Sequence, residues 1–298
     1  MNRGYISEAF QELQDHICSR LEEVDGKSAF KEDKWERSQG GGGRTRIIAD
    51  GQVFEKGGVN FSEVFGPVTE MMKANTEINA EDFFATGVSI VIHPNNPHVP
   101  IIHMNVRYFE LSNGKYWFGG GIDLTPHYVI ESQAGEFHRS LKEICDKYER
   151  SFYPKFKKWA DDYFFLPHRN ETRGVGGIFF DHLSENEEVS KEDLLSYCLD
   201  LGRAFPELYA FQVEQGKGKT ATADEIRWMH LRRGRYVEFN LVHDRGTKFG
   251  LVSGGRTESI LMSLPPDASW EYMQIPAGGS RERKSLSLLK KDIDWVSK

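Results

Sequence analysis

Apolar and polar residues alternate over three successive stretches in the first half of the chain, and this period of two predicts strands. The first runs from about Phe84 to His93, with Ile90 and Ile92 on one face and Ser89 and His93 on the other. It ends at Pro94-Asn95-Asn96-Pro97, where two prolines disfavour helix. The second, Ile101 to Leu111, puts Met104, Val106 and Tyr108 on one face and His103, Asn105 and Arg107 on the other. Ser112-Asn113-Gly114 is a hairpin signal. The third strand, Tyr116 to Leu124, stops at Thr125-Pro126 and places Trp117, Gly119, Gly121 and Asp123 on one face.

Elsewhere the spacing is helical. Tyr5 to Val24 carries Phe10, Leu13, Ile17 and Leu21 as an apolar stripe. Ala134 to Phe165 predicts helix, with Phe137, Leu141, Ile144 and Tyr148 in register and Pro154 kinking or dividing it. Ser190 caps a helix to about Gln215. Thr222 and Glu225 form a capping box for a short helix, and a last helix spans about Arg281 to Val296. Pro67 to Asn75 predicts one more short helix. Ile47 to Phe54 and Gly57 to Phe65 read as short strands or turns, and Gly174 to Asp181 as a strand entered through a glycine turn. Arg235 to Asp244 alternates through Val237, Phe239 and Leu241, which predicts a strand, a turn at Asp244 to Thr247 and a return strand at Phe249 to Val252. No repeat, linker or low-complexity tract divides the chain. The expectation is one α+β domain over residues 1–298, a large, mainly antiparallel sheet flanked by helices on both sides.

Composition narrows the function. The chain has 298 residues, 39% hydrophobic and 28% charged, with a net charge of −7. That charge argues against broad nucleic-acid binding, which needs a basic footprint. No apolar run is long enough to span a membrane. The acidic N-terminal stretch (Glu8, Glu12, Asp15, Glu22, Glu23, Asp25) is unlike a transit peptide, so a cytoplasmic protein is expected. Cys18, Cys145 and Cys198 lack cluster or zinc spacing, and each is expected as a free thiol.

The candidate chemistry lies on the polar strand faces. Ser89, His93, His103, Asn105, Arg107 and Asp123 surround glycines that remove side-chain bulk. Lys and Glu, which dominate solvated faces, are nearly absent there. Such a floor suits a large flat molecule with acidic groups. Gly40 to Gly43, followed by Arg44 and Arg46, has neither a P-loop lysine nor a dinucleotide fingerprint, and a mobile flap over a ligand is expected there.

Several long segments carry a resemblance. They are WERSQGGGGRTR from Trp35, GVSIVIHPNNPHVPIIHMNVRYF from Gly87, YWFGGGIDLTP from Tyr116, HRNETRGVGGIFFD from His168, RRGRYVEFNLVHDRGTKFGL from Arg232 and GGRTESILMSLPP from Gly254. Together the chain resembles the oxygen-dependent coproporphyrinogen III oxidase family. The resemblance implies oxidative decarboxylation of two propionates of coproporphyrinogen III to vinyl groups, giving protoporphyrinogen IX in haem synthesis. Oxygen is the co-substrate, and no organic cofactor is implied. It implies a homodimer, with the region around Tyr236 to Leu264 at the interface. Substrate contacts fall at Ser89, at Asn105, Val106 and Arg107, and at Gly254, Gly255 and Arg256. His103 matches a proton donor and Asp123 a carboxylate meeting the pyrrole N–H groups; with Arg107 they make the catalytic set. A divalent metal held by His93, His103, His138 and His168 is described for some members, and none is expected to be needed here. The same floor would suit a non-catalytic tetrapyrrole or haem carrier, which would need no acid–base pair. A structural dimerisation module would leave the polar face unexplained.

Overall fold

The computed structural model describes residues 1–69, 80–252 and 255–298. Six strands follow one another in chain order, each paired with the next. They are β1 (Lys31–Glu36), β2 (Gly41–Ala49), β3 (Phe54–Pro67), β4 (Asp82–Pro94), β5 (Ile101–Leu111) and β6 (Tyr116–Thr125). A seventh long strand, β9 (Gly176–Leu183), returns to pair with β6, and all neighbours are antiparallel. β7 (Phe165–Leu166) and β8 (Glu171–Thr172) form a separate two-stranded ribbon. The expected α+β class with a large antiparallel sheet is what is found.

The alternation decides which face is covered. Val88, Ile90, Ile92, Ile102, Met104, Val106, Tyr108, Phe118, Ile122, Leu124, Ile178 and Phe180 all enter one hydrophobic core. That core is closed by four helices: α1 (Arg3–Asp25), α2 (Glu131–Asp146), α3 (Phe152–Tyr163) and α4 (Lys191–Gly216). The chain divides between α2 and α3, and Pro154 falls in the first turn of α3, where its missing N–H costs no helical bond. Ser190 caps α4 in a reciprocal box with Asp193.

The opposite face is covered only in part. α5 (Ala223–Glu238), capped by Thr222 and Glu225, crosses the ends of the central strands and continues as a π-turn (Phe239–His243). α6 (Arg245–Val252) and α7 (Thr257–Leu261) follow, and α8 (Arg281–Leu288) closes the chain. α7 and the residues just past it lie on the sheet: Ser259 pairs with Thr45 and accepts from Asn60, the Ser263 carbonyl meets His93, and Met262 covers Gly58.

Three expectations need correction. Arg235 to Val252 is helical apart from an extended Asp244, not a strand hairpin. Tyr236, Phe239 and Asn240 are buried while Leu241 and Val242 are exposed, so burial follows spacings of three and four. The glycine run is no flap: Gly41–Ala49 is an internal strand, hairpinned to β1 through Arg37 N–H to the Gly41 carbonyl. Its glycines let the Trp35 ring lie on the backbone, since a Cβ on Gly43 would sit 2.3 Å from that ring. The partner strand β1, with exposed Lys and Glu, is an edge whose charge hides the strand signal. The last helix stops at Leu288, where Leu289 leaves helical backbone. Most of the helix expected at Pro67 to Asn75 lies outside the described residues; Pro67 itself ends β3. All three cysteines are unpaired and buried.

Candidate functional site

Residues directly opposite in an antiparallel sheet share a face, so the register writes the site out in rows. One row, from β1 to β6, reads Trp35, Gly43, Ser62, Gly87, Arg107, Gly119. The next reads Asp33, Thr45, Asn60, Ser89, Asn105, Gly121 and, on β9, Phe179. The third reads Lys31, Ile47, Gly58, Val91, His103, Asp123, Gly177. Half of the first row has no side chain. The result is a floor over β4 to β6, polar in its hydrogen-bonding groups and low in relief.

One end of the floor holds a buried charge network. Asp123, 1% exposed, receives Arg173 through both oxygens: Nη2 to Oδ1 at 2.6 Å and Nε to Oδ2 at 3.1 Å. His103 Nδ1 lies 2.8 Å from Asp123 Oδ1. A carboxylate only accepts, so Nδ1 donates and Nε2 is the nitrogen turned away from Asp123. Burial works to raise the Asp123 pKa, but the Arg173 charge and the His103 bond outweigh it and hold it below the ordinary value. Arg173 is itself buried, gives Nη1 to Asn240 at 3.1 Å, and lies 4.4–4.7 Å from the ring centroids of Phe164, Tyr236 and Phe239. The glycine turn makes this possible. Gly177 faces Asp123 at φ 159, and a Cβ there would sit 2.0 Å from the Ile122 carbonyl oxygen. Only glycine lets the chain pass so close, and the turn throws Arg173 back over Asp123.

Residues 5–295 match the family model for coproporphyrinogen III oxidase. The chain belongs to this family. It is 49% identical over 299 residues to the oxygen-dependent coproporphyrinogen-III oxidase of Drosophila melanogaster. It is likewise 49% identical over 299 residues to the mitochondrial oxygen-dependent coproporphyrinogen-III oxidase of Homo sapiens. Each match takes in 96% of this chain, and they span 76% of the fly protein and 65% of the human one.

The site residues expected of a coproporphyrinogen III oxidase fall in two places. Ser89, Asn105, Arg107, His103 and Asp123 come together on the floor, as the alternation requires. Val106 belongs to the same strand, but its side chain enters the core, so only its backbone faces neighbouring strands. Arg107 gives Nη1 to Asn105 at 2.7 Å and pairs through Nη2 with Asp181 at 2.9 Å. Arg256 lies over β1, paired with Asp33, and Gly255 donates to the Gly250 carbonyl. Gly254 lies outside the described residues. β1 and β5 are four strand spacings apart, roughly 19 Å, so Arg256 and Arg107 mark opposite sides of the floor.

The four histidines do not converge. His103 is on the floor. His93 is buried with Nε2 2.9 Å from the Ser263 carbonyl. His138 lies in the main core between Tyr153 Oη at 2.9 Å and the Val175 carbonyl at 3.0 Å. Burial pushes the pKa of both His93 and His138 down to about 3, which keeps them neutral. His168 is exposed and bonded to Glu238 and His243. Among the described residues no three His, Cys, Asp or Glu side chains are grouped as a metal ion would require.

Sequence reasoning missed Arg173, Asn240 and Asp181. The glycine run after Arg173 signals a turn into a strand, but nothing local shows that the arginine reaches Asp123, 50 residues earlier.

Proposed function

We propose that the protein is an oxygen-dependent coproporphyrinogen III oxidase acting in haem synthesis, and that the whole chain acts as one domain. The family match over residues 5–295 carries this reading. Two propionates of coproporphyrinogen III become vinyl groups. At each, the carbon next to the pyrrole loses a hydrogen, the bond to the carboxylate breaks, and carbon dioxide leaves. The bond's electron pair becomes the double bond, and the two electrons of the lost hydrogen pass to dioxygen, which takes up protons and leaves as hydrogen peroxide. The substrate is an electron-rich porphyrinogen, so binding and orientation account for most of the protein's share.

The geometry supports particular roles. The glycine floor seats the ring face. Arg107 and Arg256 take propionates at its two sides, since a guanidinium fits a carboxylate with two parallel bonds. Ser89 and Asn105 add polar contacts, as does the backbone at Val106. His103 is the proton donor, its ring oriented by Asp123. Asp123 takes three bonds from Arg173 and His103 and is 1% exposed, so meeting the pyrrole N–H groups would require its remaining accepting site on Oδ2 to be uncovered. A carrier would have no task for this buried acid–base arrangement.

Dioxygen is the co-substrate in this reading, with neither an organic cofactor nor a metal required. The chain pairs with a second copy through the region around Tyr236 to Leu264. Leu241, Val242, Leu251 and Val252, 40–67% exposed, support that interface. No described helix is long and apolar enough to cross a membrane. A cytoplasmic setting belongs to the same proposal, supported by three unpaired cysteines, although the human relative is named mitochondrial. The deciding experiment is product formation in air and under strict anaerobiosis. Product is expected only in air; equal rates would sink the reading.

A further inference from the structure

Asp181 stands where a substrate carboxylate would stand. It lies on β9 in step with Gly177 and Phe179, and its Oδ2 is 2.9 Å from Arg107 Nη2. The pair lies on the glycine floor itself: a Cβ on Gly119 would be 2.7 Å from Asp181 Oδ1 and 2.8 Å from Arg107 Nη2. The carboxylate is also anchored. Its Oδ1 accepts the His182 backbone N–H at 3.0 Å. His182, at φ 50, stacks on Trp117 with ring centroids 4.8 Å apart. Yet the Arg107 and Asp181 side chains are 35% and 22% exposed, and an ion pair this wet is weak enough to exchange.

We propose that Asp181 is a built-in competitor for the propionate position. It holds Arg107, yields it to a substrate carboxylate, and takes it back once that carboxylate has left as carbon dioxide. The inference rests on the reading that Arg107 grips a propionate. A ligand with a carboxylate at this position can displace Asp181; a ligand with a vinyl group there cannot, and it meets a guanidinium already paired. Asp181 is thus a positioning residue that sorts substrate from product through Arg107 and does not touch the reacting atoms. Its neighbours fit this task, because the His182 turn keeps the carboxylate within reach after displacement.

The test is Asp181→Asn. The amide keeps the size, and its oxygen still accepts from His182 N–H, so the turn should hold. Binding of coproporphyrin III, with four propionates, and of protoporphyrin IX, with two, is titrated by fluorescence on wild type, Asp181→Asn and Arg107→Ala. Steady-state kinetics in air run alongside. With the competitor removed, Kd for coproporphyrin III and KM for the porphyrinogen should fall about two- to fivefold, the span of an exposed ion pair. Protoporphyrin IX affinity and kcat should not rise. Unchanged or weaker coproporphyrin III binding in Asp181→Asn, while Arg107→Ala weakens it, overturns the competitor role and leaves the Arg107 reading standing. No loss in Arg107→Ala overturns both. Absence of wild-type turnover in air would instead count against the proposed activity, with the porphyrin titrations still judging Asp181.

Discussion

Replacing Arg173 with methionine separates charge from packing in the buried network. Methionine keeps an apolar chain against Phe164, Tyr236 and Phe239 but withdraws both bonds to Asp123. Asp123 then keeps only His103, at 1% exposure. Breaking a buried pair by removing one partner costs about 3–5 kcal/mol, because the remaining charge is uncompensated. The cost depends on pH with a definite sign. In the wild type the folded pKa of Asp123 lies below its ordinary 3.8, so its contribution is present above that value and is lost as pH falls through the folded pKa. Without Arg173, burial is the dominant influence and raises the folded pKa above 3.8. The folded variant then holds a proton that the unfolded chain has lost, and its stability falls as pH rises. The stability gap should be largest near neutrality and narrow toward about pH 4. Urea unfolding followed by circular dichroism between about pH 4 and 7 measures it. A gap that stays constant across that range would mean that lost packing, not an unpaired carboxylate, sets the cost.

Two glycines on the floor should respond differently to alanine. A Cβ on Gly119 meets the far ends of the Asp181 and Arg107 side chains, so the fold should hold while KM rises; a Cβ on Gly121 would lie 2.6 Å from the Ile178 carbonyl oxygen, so thermal unfolding should reveal a loss of about 1–3 kcal/mol. His93 and His138, held neutral with pKa near 3, stabilise the fold above the ordinary 6.5, and that contribution is lost as pH falls from 6.5 toward 3. The acid-side slope of the unfolding midpoint should be shallower in His138→Gln. Turnover should survive chelation with metal content below stoichiometric, and recovery through one specific divalent ion would reverse that view. Light scattering should give a dimer; a stable monomer at micromolar concentration would remove the proposed interface.

The central strands were legible because each face of each strand has its own chemistry. Met104, Val106 and Tyr108 are fully buried in the core, and His103, Asn105 and Arg107 are not. A one-residue slip would reverse both sets, so the pattern admits one register. Helices α4 and α5 were legible at their starts because their capping boxes are local. The stretch after α5 was not. Over ten residues Val237, Phe239 and Leu241 satisfy a period of two, while Tyr236, Phe239 and Asn240 satisfy a helical one. The choice is made by partners distant in sequence: Phe239 packs on Phe164, and Asn240 receives Arg173, 67 residues earlier. Tertiary contact overrides local pattern when two periods fit equally well.

The site divides along the same line. His103 and Asp123 share a row because β5 and β6 are joined by a short hairpin, so their meeting follows from strand period and one turn. Arg173 obeys no period; it precedes a glycine turn with positive φ at Gly176 and Gly177, and its place is held by partners far away in sequence. Burial of Asp123 would have revealed the need for such a partner. A carboxylate removed from water keeps its charge only beside a cation, and His103 by itself is a partner whose charge depends on pH. Asp181 is the intermediate case. Gly177, Phe179 and Asp181 alternate on β9 as plainly as His103, Asn105 and Arg107 do on β5. The pattern acquires meaning only when β9 is known to lie against β6, after an excursion through two helices. Residues that meet across hairpins can therefore be paired from sequence, whereas those that meet across a long connection need the sheet order first. Arg173 and Asp181 both belong to the second class, and both act on the first: one holds Asp123 ionised behind His103, and the other holds Arg107 on the floor.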